Sequence, residues 1–213
     1  MLNVFRIAAD FSHLASILIL IHSISTTKST KGISLKTQVL YAIVFITRYL
    51  DLVTLNFSSL YNTLMKLFFI GSSGYTIHLM KKHTKSIEGN PDGFQIKWLV
   101  GGSAILGLLF NYKLSILEVS WSFSLWLESV AILPQLFMLQ KEGQGELLTI
   151  HYIFALGLYR ALYIPNWFYR YFAENRLDLL SIITGIIQTL LYSDFFYIYY
   201  KKVVQTGSFA LPQ

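Results

Sequence analysis

The sequence predicts an all-α polytopic membrane protein with seven transmembrane helices, and three observations predict it. First, 54% of the 213 residues are hydrophobic and only 13% are charged, against about 25% charged in a soluble domain. Second, long apolar segments recur at 4–22, 35–55, 59–79, 97–112, 115–138, 149–170 and 178–200. Each approaches the length of about 20 residues that a bilayer-crossing helix needs. Third, Arg6, His13, Arg48, Asp51, Glu118, Glu128, Arg160 and Arg170 fall inside these segments or at their ends. An ionised side chain at bilayer depth costs from about 2.5 to more than 10 kcal/mol, so such residues persist by pairing, by lining a wet cavity, or by performing the function.

Taken in order, segment one has no charged stretch ahead of a short apolar run and no cleavage pattern. It is expected to stay as a span rather than leave as a signal peptide. On it, Arg6 and His13 are seven residues apart and share a helical face. Segment two carries Arg48 and Asp51, three apart and so placed to pair. Segment four is the shortest. Segment five aligns Glu118, Trp121, Leu125 and Glu128 at spacings of three and four, one stripe with two carboxylates and an indole. Segment six aligns Tyr152, Leu156, Tyr159, Tyr163, Asn166 and Arg170 in the same way. Segment seven opens at Asp178 and carries Tyr192 and Asp194. The connecting loops are short, and Gly89-Asn90-Pro91-Asp92-Gly93 supplies turn chemistry to the longest polar one after the first. Residues 1–213 therefore read as a single transmembrane domain, with 201–213 as a tail.

Lysine asymmetry sets the orientation. Lys28, Lys31, Lys36, Lys81, Lys82, Lys85, Lys97, Lys141, Lys201 and Lys202 belong to one set of loops and the C-terminal tail, whereas the other set holds Lys113 and Arg176. The lysine-rich side is expected to be cytosolic, which puts the N-terminus outside or in a lumen. This bias accounts for the formal net charge of +6, so the basicity is not a nucleic-acid signal. Asn56-Phe57-Ser58 matches a glycosylation pattern but sits too near the membrane ends to be a good acceptor. The chain has no cysteine, which excludes disulfides, thiolate metal sites and thiol catalysis.

Shifting the sequence by 112 positions lays Phe11-Ser12 on Phe123-Ser124, Thr37 on Thr149, Arg48 on Arg160 and Leu50 on Leu162. The shift predicts two parallel three-helix repeats, about 1–79 and 115–200, joined by a linker helix at about 97–112. Sugar transporters of the SWEET class are built this way.

The inferred orientation places Arg6, Arg48, Asp51, Glu118, Arg170 and Asp178 in the non-cytosolic half, with His13, Glu128, Tyr159 and Arg160 nearer mid-bilayer. The pattern is a polar funnel ending in an ionisable cluster. Four arginines outnumber Asp51, Glu118 and Glu128 there. Arginine binds carboxylates through paired hydrogen bonds, so the excess suits an anionic ligand, and the carboxylates suit an amine or backbone donors on it. A short acidic peptide with a free C-terminus satisfies both. Any one pair, Arg48–Asp51 or Glu128–Arg160, also has a plain reading as structural glue, and Trp121 and Trp167 one as interfacial aromatics; the convergence is what exceeds that reading. Histidine titrates near pH 6.5, so anion binding and protonation of His13 should be coupled.

At these residues the chain resembles the ER lumen protein-retaining receptors, the KDEL/HDEL receptor family. The matching segments include Asn3-Val4-Phe5-Arg6, Asp10-Phe11-Ser12-His13-Leu14, Gly32-Ile33-Ser34-Leu35-Lys36-Thr37-Gln38 and Arg48-Tyr49-Leu50-Asp51-Leu52. Most specific is Leu127-Glu128-Ser129-Val130-Ala131-Ile132-Leu133-Pro134-Gln135-Leu136, followed by Tyr159-Arg160-Ala161-Leu162-Tyr163, Asn166-Trp167 and Tyr192-Ser193-Asp194-Phe195-Phe196-Tyr197. The resemblance implies a SWEET/PQ-loop-like fold, with Pro134-Gln135 as its PQ pair. It also implies a receptor in Golgi and ER membranes that binds C-terminal Lys/His/Asp-Asp-Glu-Leu signals under mild acidity and returns with coatomer. No enzyme activity, cofactor or metal is implied.

Carried over by position, the resemblance gives Arg48 the terminal carboxylate with Tyr49 nearby, and gives Arg6 and Arg170 the acidic side chains of the signal. Asp51, Glu118, Trp121 and Trp167 would shape the pocket for the first signal residue, with Tyr163 and Asn166 also at the ligand. His13 would sense pH, and Glu128, Tyr159, Arg160 and Tyr163 would rearrange on binding. Asp194 would serve retrograde transport, and Lys201-Lys202 the coatomer. Two departures stand out: Pro165 before Asn166, which predicts a kink, and a tail less basic than in animal members. The rival reading is a small-solute transporter of the related fold. An intramembrane enzyme fits worse, since Glu118 and Glu128 lie roughly 15 Å apart along a helix axis, too far for a carboxylate pair.

Overall fold

Helix starts are written into the sequence as caps, and the structure shows them in use. Asn3 accepts from the Arg6 N–H, Ser34 from Thr37, Ser115 from Glu118 and Asp178 from Ser181, each satisfying a backbone donor that a first turn leaves open. The computed structural model describes residues 3–54, 59–83, 93–142, 147–175 and 177–201. Asn56, Lys85, the Gly89–Asp92 turn, Arg176, Lys202 and the tail beyond it lie outside the described residues.

All regular structure among the described residues is helical, with no strand: α1 Val4–Thr27, α2 Leu35–Arg48, a 3-10 turn Leu50–Thr54, α3 Leu60–His83, α4 Ile96–Leu109, α5 Ile116–Val130, α6 Leu133–Glu142, α7 Leu147–Glu174 and α8 Leu179–Tyr199. A helix falls within each expected segment, with altered ends. Segment two stops as α-helix at Arg48 and tightens into the 3-10 turn. Segment five divides into α5 and α6, because the Pro134 ring would collide with the carbonyl four residues back, at Val130, where α5 ends. Pro165 does not interrupt α7, which runs through it for 28 residues in all.

Among the described residues, three stretches are long and apolar enough to cross a membrane: α1, Ile116–Lys141 and α8. α4 is apolar but short, about 21 Å at the usual rise. Only Ser103 and Gly107 of α4 are buried, while Trp98, Ile105, Leu108 and Leu109 are exposed. Small residues inward and large apolar residues outward invert the pattern of a water-soluble helix, and suit a lipid-facing one.

The chain forms two compact units. One comprises residues 1–28 and 138–213 and contains α1, α7 and α8. Within it α7 packs on both α1 and α8. Gly157 and Gly185 permit the α7–α8 approach: a Cβ on Gly157 would sit 2.6 Å from the Tyr192 ring, and one on Gly185 would overlap the Trp167 ring.

The other unit, residues 29–137, holds α2 to α5. There α2 packs on α3 and α5, and α4 packs on α5. A Cβ on Gly107 would meet the Phe123 Cα at 2.8 Å, and the Ser122 hydroxyl donates to the Phe110 carbonyl at 2.5 Å. Gln135 of the PQ pair, fully buried, ties the loop before α2 to the start of α6. Its Oε1 accepts from the Ser34 N–H (2.8 Å), its Nε2 donates to the Gly32 carbonyl (2.7 Å), and its own N–H donates to Thr37 Oγ1 (3.0 Å). The two units take helices from both halves of the expected repeat.

Candidate functional site

Two groups of the expected residues assemble, one in each unit. In the unit of residues 29–137, Arg48 at the end of α2 reaches α5. Its Nε donates to Ser124 Oγ and its Nη2 to the Ser124 carbonyl, both at 3.1 Å, while Nη1 forms a salt bridge with Glu128. Glu128 is buried and Arg48 nearly so. A guanidinium with this many acceptors is fixed in direction and presents an edge rather than a roaming charge.

Beside it is a cavity of about 360 Å³ lined by Arg48, Tyr49, Leu50, Asp51, Lys66, Leu117, Glu118 and Trp121. Five of these, Arg48, Tyr49, Asp51, Glu118 and Trp121, belong to the site expected from sequence. The stripe of α5 is upheld: Glu118 and Trp121 face the cavity, Leu125 is buried, and Glu128 holds Arg48. The expected Arg48–Asp51 pair is not formed. The α-helix ends at Arg48, so the three-residue spacing no longer puts the two on one face. Asp51 bonds instead to Lys66 of α3, whose ammonium lies 5.8 Å from the centre of the Tyr49 ring.

In the unit of α1, α7 and α8, the face predicted for segment one meets the stripe predicted for segment six. The buried His13 ring stacks on Tyr159 with centroids 4.2 Å apart and planes 8° from parallel. The Tyr163 hydroxyl donates to Asp10 at 2.8 Å, and Arg6 lies 3.7 Å from the same carboxylate. Asn3 donates to Asn166 at 2.7 Å. The buried Arg160 donates from Nε to Gln188 on α8 at 2.6 Å, and its guanidinium lies 5.4 Å from the Tyr159 ring centre. A second cavity, about 370 Å³, is lined by Trp167, Arg170, Asn175, Leu177, Asp178 and Ile182. Arg170 there donates to Glu174 at 3.3 Å. Asp194 is exposed on α8, and Lys201 lies 4.6 Å from the Tyr197 ring centre. No cluster of histidines and carboxylates able to hold a metal occurs among the described residues.

The chain is similar to known proteins. A family model described as ER lumen protein retaining receptor matches residues 29–170. The chain is 62% identical to an ER lumen protein-retaining receptor of Kluyveromyces lactis and 58% identical to one of Saccharomyces cerevisiae, over the full length of each pair. It is 50% identical to ER lumen protein-retaining receptor 2 of Bos taurus, covering 99% of this chain and all of that one.

The chain belongs to the ER lumen protein-retaining receptor family. The family is one of receptors rather than enzymes, and its name implies a lumenal protein cargo. The apolar helices fit a multi-pass membrane protein. Among the participants that escaped the sequence reading as site residues are Lys66, Asp10 and Gln188. Lys66 is a charge inside an apolar segment, the signal that singled out the others. Asp10 lies four residues from Arg6, a helical neighbour. Gln188, uncharged, gave no such signal.

Proposed function

We propose that this receptor-family chain crosses the membrane seven times, as two parallel three-helix repeats (about 1–79 and 115–200) joined by the helix at about 97–112. Its N-terminus is lumenal and its C-terminus cytosolic. Lysines at the C-terminal ends of α1, α3, α6 and α8 and at the starts of α2 and α4 support that orientation. The chain binds the C-terminal Lys/His/Asp-Asp-Glu-Leu signal of escaped ER proteins in the mildly acidic Golgi. It returns them in coatomer vesicles and releases them at the neutral pH of the ER.

The observation that carries this reading is Arg48: a guanidinium anchored by Ser124 and Glu128 at the wall of a cavity that also carries Asp51, Glu118 and Trp121. A terminal carboxylate competes with Glu128 for that guanidinium, and the cavity's own carboxylates take the ligand's donors. Arg48 and Tyr49 hold the terminus, while Arg6 and Arg170 take the acidic side chains. Asp51, Glu118, Trp121 and Trp167, with Tyr163 and Asn166, fit the remainder. His13 is the proton sensor, and Glu128, Tyr159, Arg160 and Tyr163 are the groups that re-pair on binding. Asp194, Lys201 and Lys202 act in sorting on the cytosolic side.

The test is binding of a labelled peptide ending in His-Asp-Glu-Leu to purified protein at pH 5.5 and 7.4. Acid-favoured binding that disappears in Arg48→Ala supports the reading. No binding by folded protein at either pH overturns it and leaves solute transport by the related fold as the reading to pursue.

A further inference from the structure

The geometry points to Lys66 as a specificity-determining residue, an internal cation that occupies Asp51 and that a ligand must displace or use. The inference rests on the peptide-receptor reading above and adds a residue to it. Lys66 is the seventh residue of α3, part-buried, and reaches across to the 3-10 turn between α2 and α3. Both partners of the ion pair line the cavity, along with Glu118, Arg48 and Trp121. The Asp51 side chain keeps 45% of its surface open and that of Lys66 22%; Asp51 Oδ1 is buried, so a third charged group reaches the carboxylate at Oδ2, the oxygen that Lys66 holds.

The pair therefore discriminates in both directions. A ligand ammonium, guanidinium or imidazolium entering the cavity competes with Lys66 for Asp51. A ligand carboxylate competes with Asp51 for Lys66. Arg48 does not substitute for Lys66 in this contest: Ser124 and Glu128 hold it in the unliganded chain, and on the reading above the ligand's terminal carboxylate takes it in the complex. Tyr49 holds the displaced ammonium close by, since its ring face is a second resting place for the cation. Lys66 thereby blunts the preference of an acidic cavity for basic residues and lets it accept acidic ones. Without Lys66, Asp51 and Glu118 would act together and select cations.

The experiment is equilibrium binding at pH 5.5 of three peptides to the purified full chain. The peptides share the last three residues, Asp-Glu-Leu, and carry Lys, His or Asp before them. In Lys66→Met and Lys66→Gln, the ratio of Lys-peptide to Asp-peptide affinity should rise about fivefold, the scale of one partly exposed ion pair. Lys66→Arg should keep the ratio within about twofold of wild type, and Asp51→Asn should move it the opposite way. An unchanged ratio in both neutral variants, with all three affinities altered equally or not at all, overturns the inference while leaving the receptor reading intact. Failure of wild type to bind any of the three overturns both.

Discussion

Arg48 spends its guanidinium on Glu128, a carboxylate eighty positions away, and not on Asp51 three positions away. The partner on α5 is 1% exposed, so the pair joins α2 to α5 by a charge contact largely removed from water. Breaking such a pair by deleting one partner is expensive, because the other charge stays buried and uncompensated; replacing both by apolar groups of similar size is often neutral. We expect Arg48→Met and Glu128→Leu each to destabilise by about 3 kcal/mol, and the double variant to recover at least half of that. Thermal unfolding of the purified variants in one detergent checks this. Additive losses would show that the two side chains act independently.

Close approach of α4 to α5 depends on one glycine. A methyl group on Gly107 would collide with the Phe123 backbone, which cannot swing aside as a side chain does, whereas one on Gly101 meets nothing. Gly107→Ala should therefore cost about 1–3 kcal/mol through overpacking. Gly101→Ala should gain up to about 1 kcal/mol from helix propensity. Opposite shifts in melting temperature are the expected outcome, and equal shifts would contradict the packing described.

Gln135 makes three hydrogen bonds to the segment that precedes and begins α2. Only two of them use its side chain, so Gln135→Leu leaves the Ser34 N–H and Gly32 carbonyl without that partner. Each buried orphan costs about 1–3 kcal/mol. The variant should lose stability and become cleavable by trypsin at Lys28, Lys31 or Lys36 under conditions that spare wild type. Intact protection would mean the loop is held by other contacts.

How much was legible in the sequence follows from these cases. Helix starts were local facts, since Asn3, Ser34, Ser115 and Asp178 cap whatever follows them. The stripes on segments five and six were periodic facts, and Glu118, Trp121 and Glu128 fell where 3.6-residue geometry put them. The partner of each charge was neither. Periodicity says which side chains share a helix face, but not which helix that face meets, so Glu128 for Arg48, Lys66 for Asp51 and Gln188 for Arg160 emerged only from packing. The Arg48–Asp51 expectation failed for a further reason: the helix that would have aligned them ends between them. Proline gave opposite results at its two sites. Pro134 coincides with a break, while Pro165 leaves α7 continuous.

His13 lies flat on Tyr159, in the seam where α1 meets α7. Arg6 and Asp10 are the charged residues on its own helix, and Tyr163 and Arg160 flank Tyr159 on the other. If His13 takes up a proton as an acidic peptide binds, affinity rises as pH falls through the histidine's titration and is lost as pH rises. One coupled proton changes affinity by at most about tenfold per pH unit. The peptide's own carboxylates titrate near pH 4, so they stay ionised over most of that range and cannot supply the effect. His13→Phe keeps an aromatic ring against Tyr159 and removes the titrating group. It should bind with an affinity that is nearly the same at pH 5.5 and 7.4, while wild type binds several-fold tighter at the lower value. Titration calorimetry adds a second readout: wild type should take up protons on binding, in proportion to the buffer's ionisation heat, and the variant should not. A variant that still binds better in acid and still takes up a proton would assign the sensor to another group.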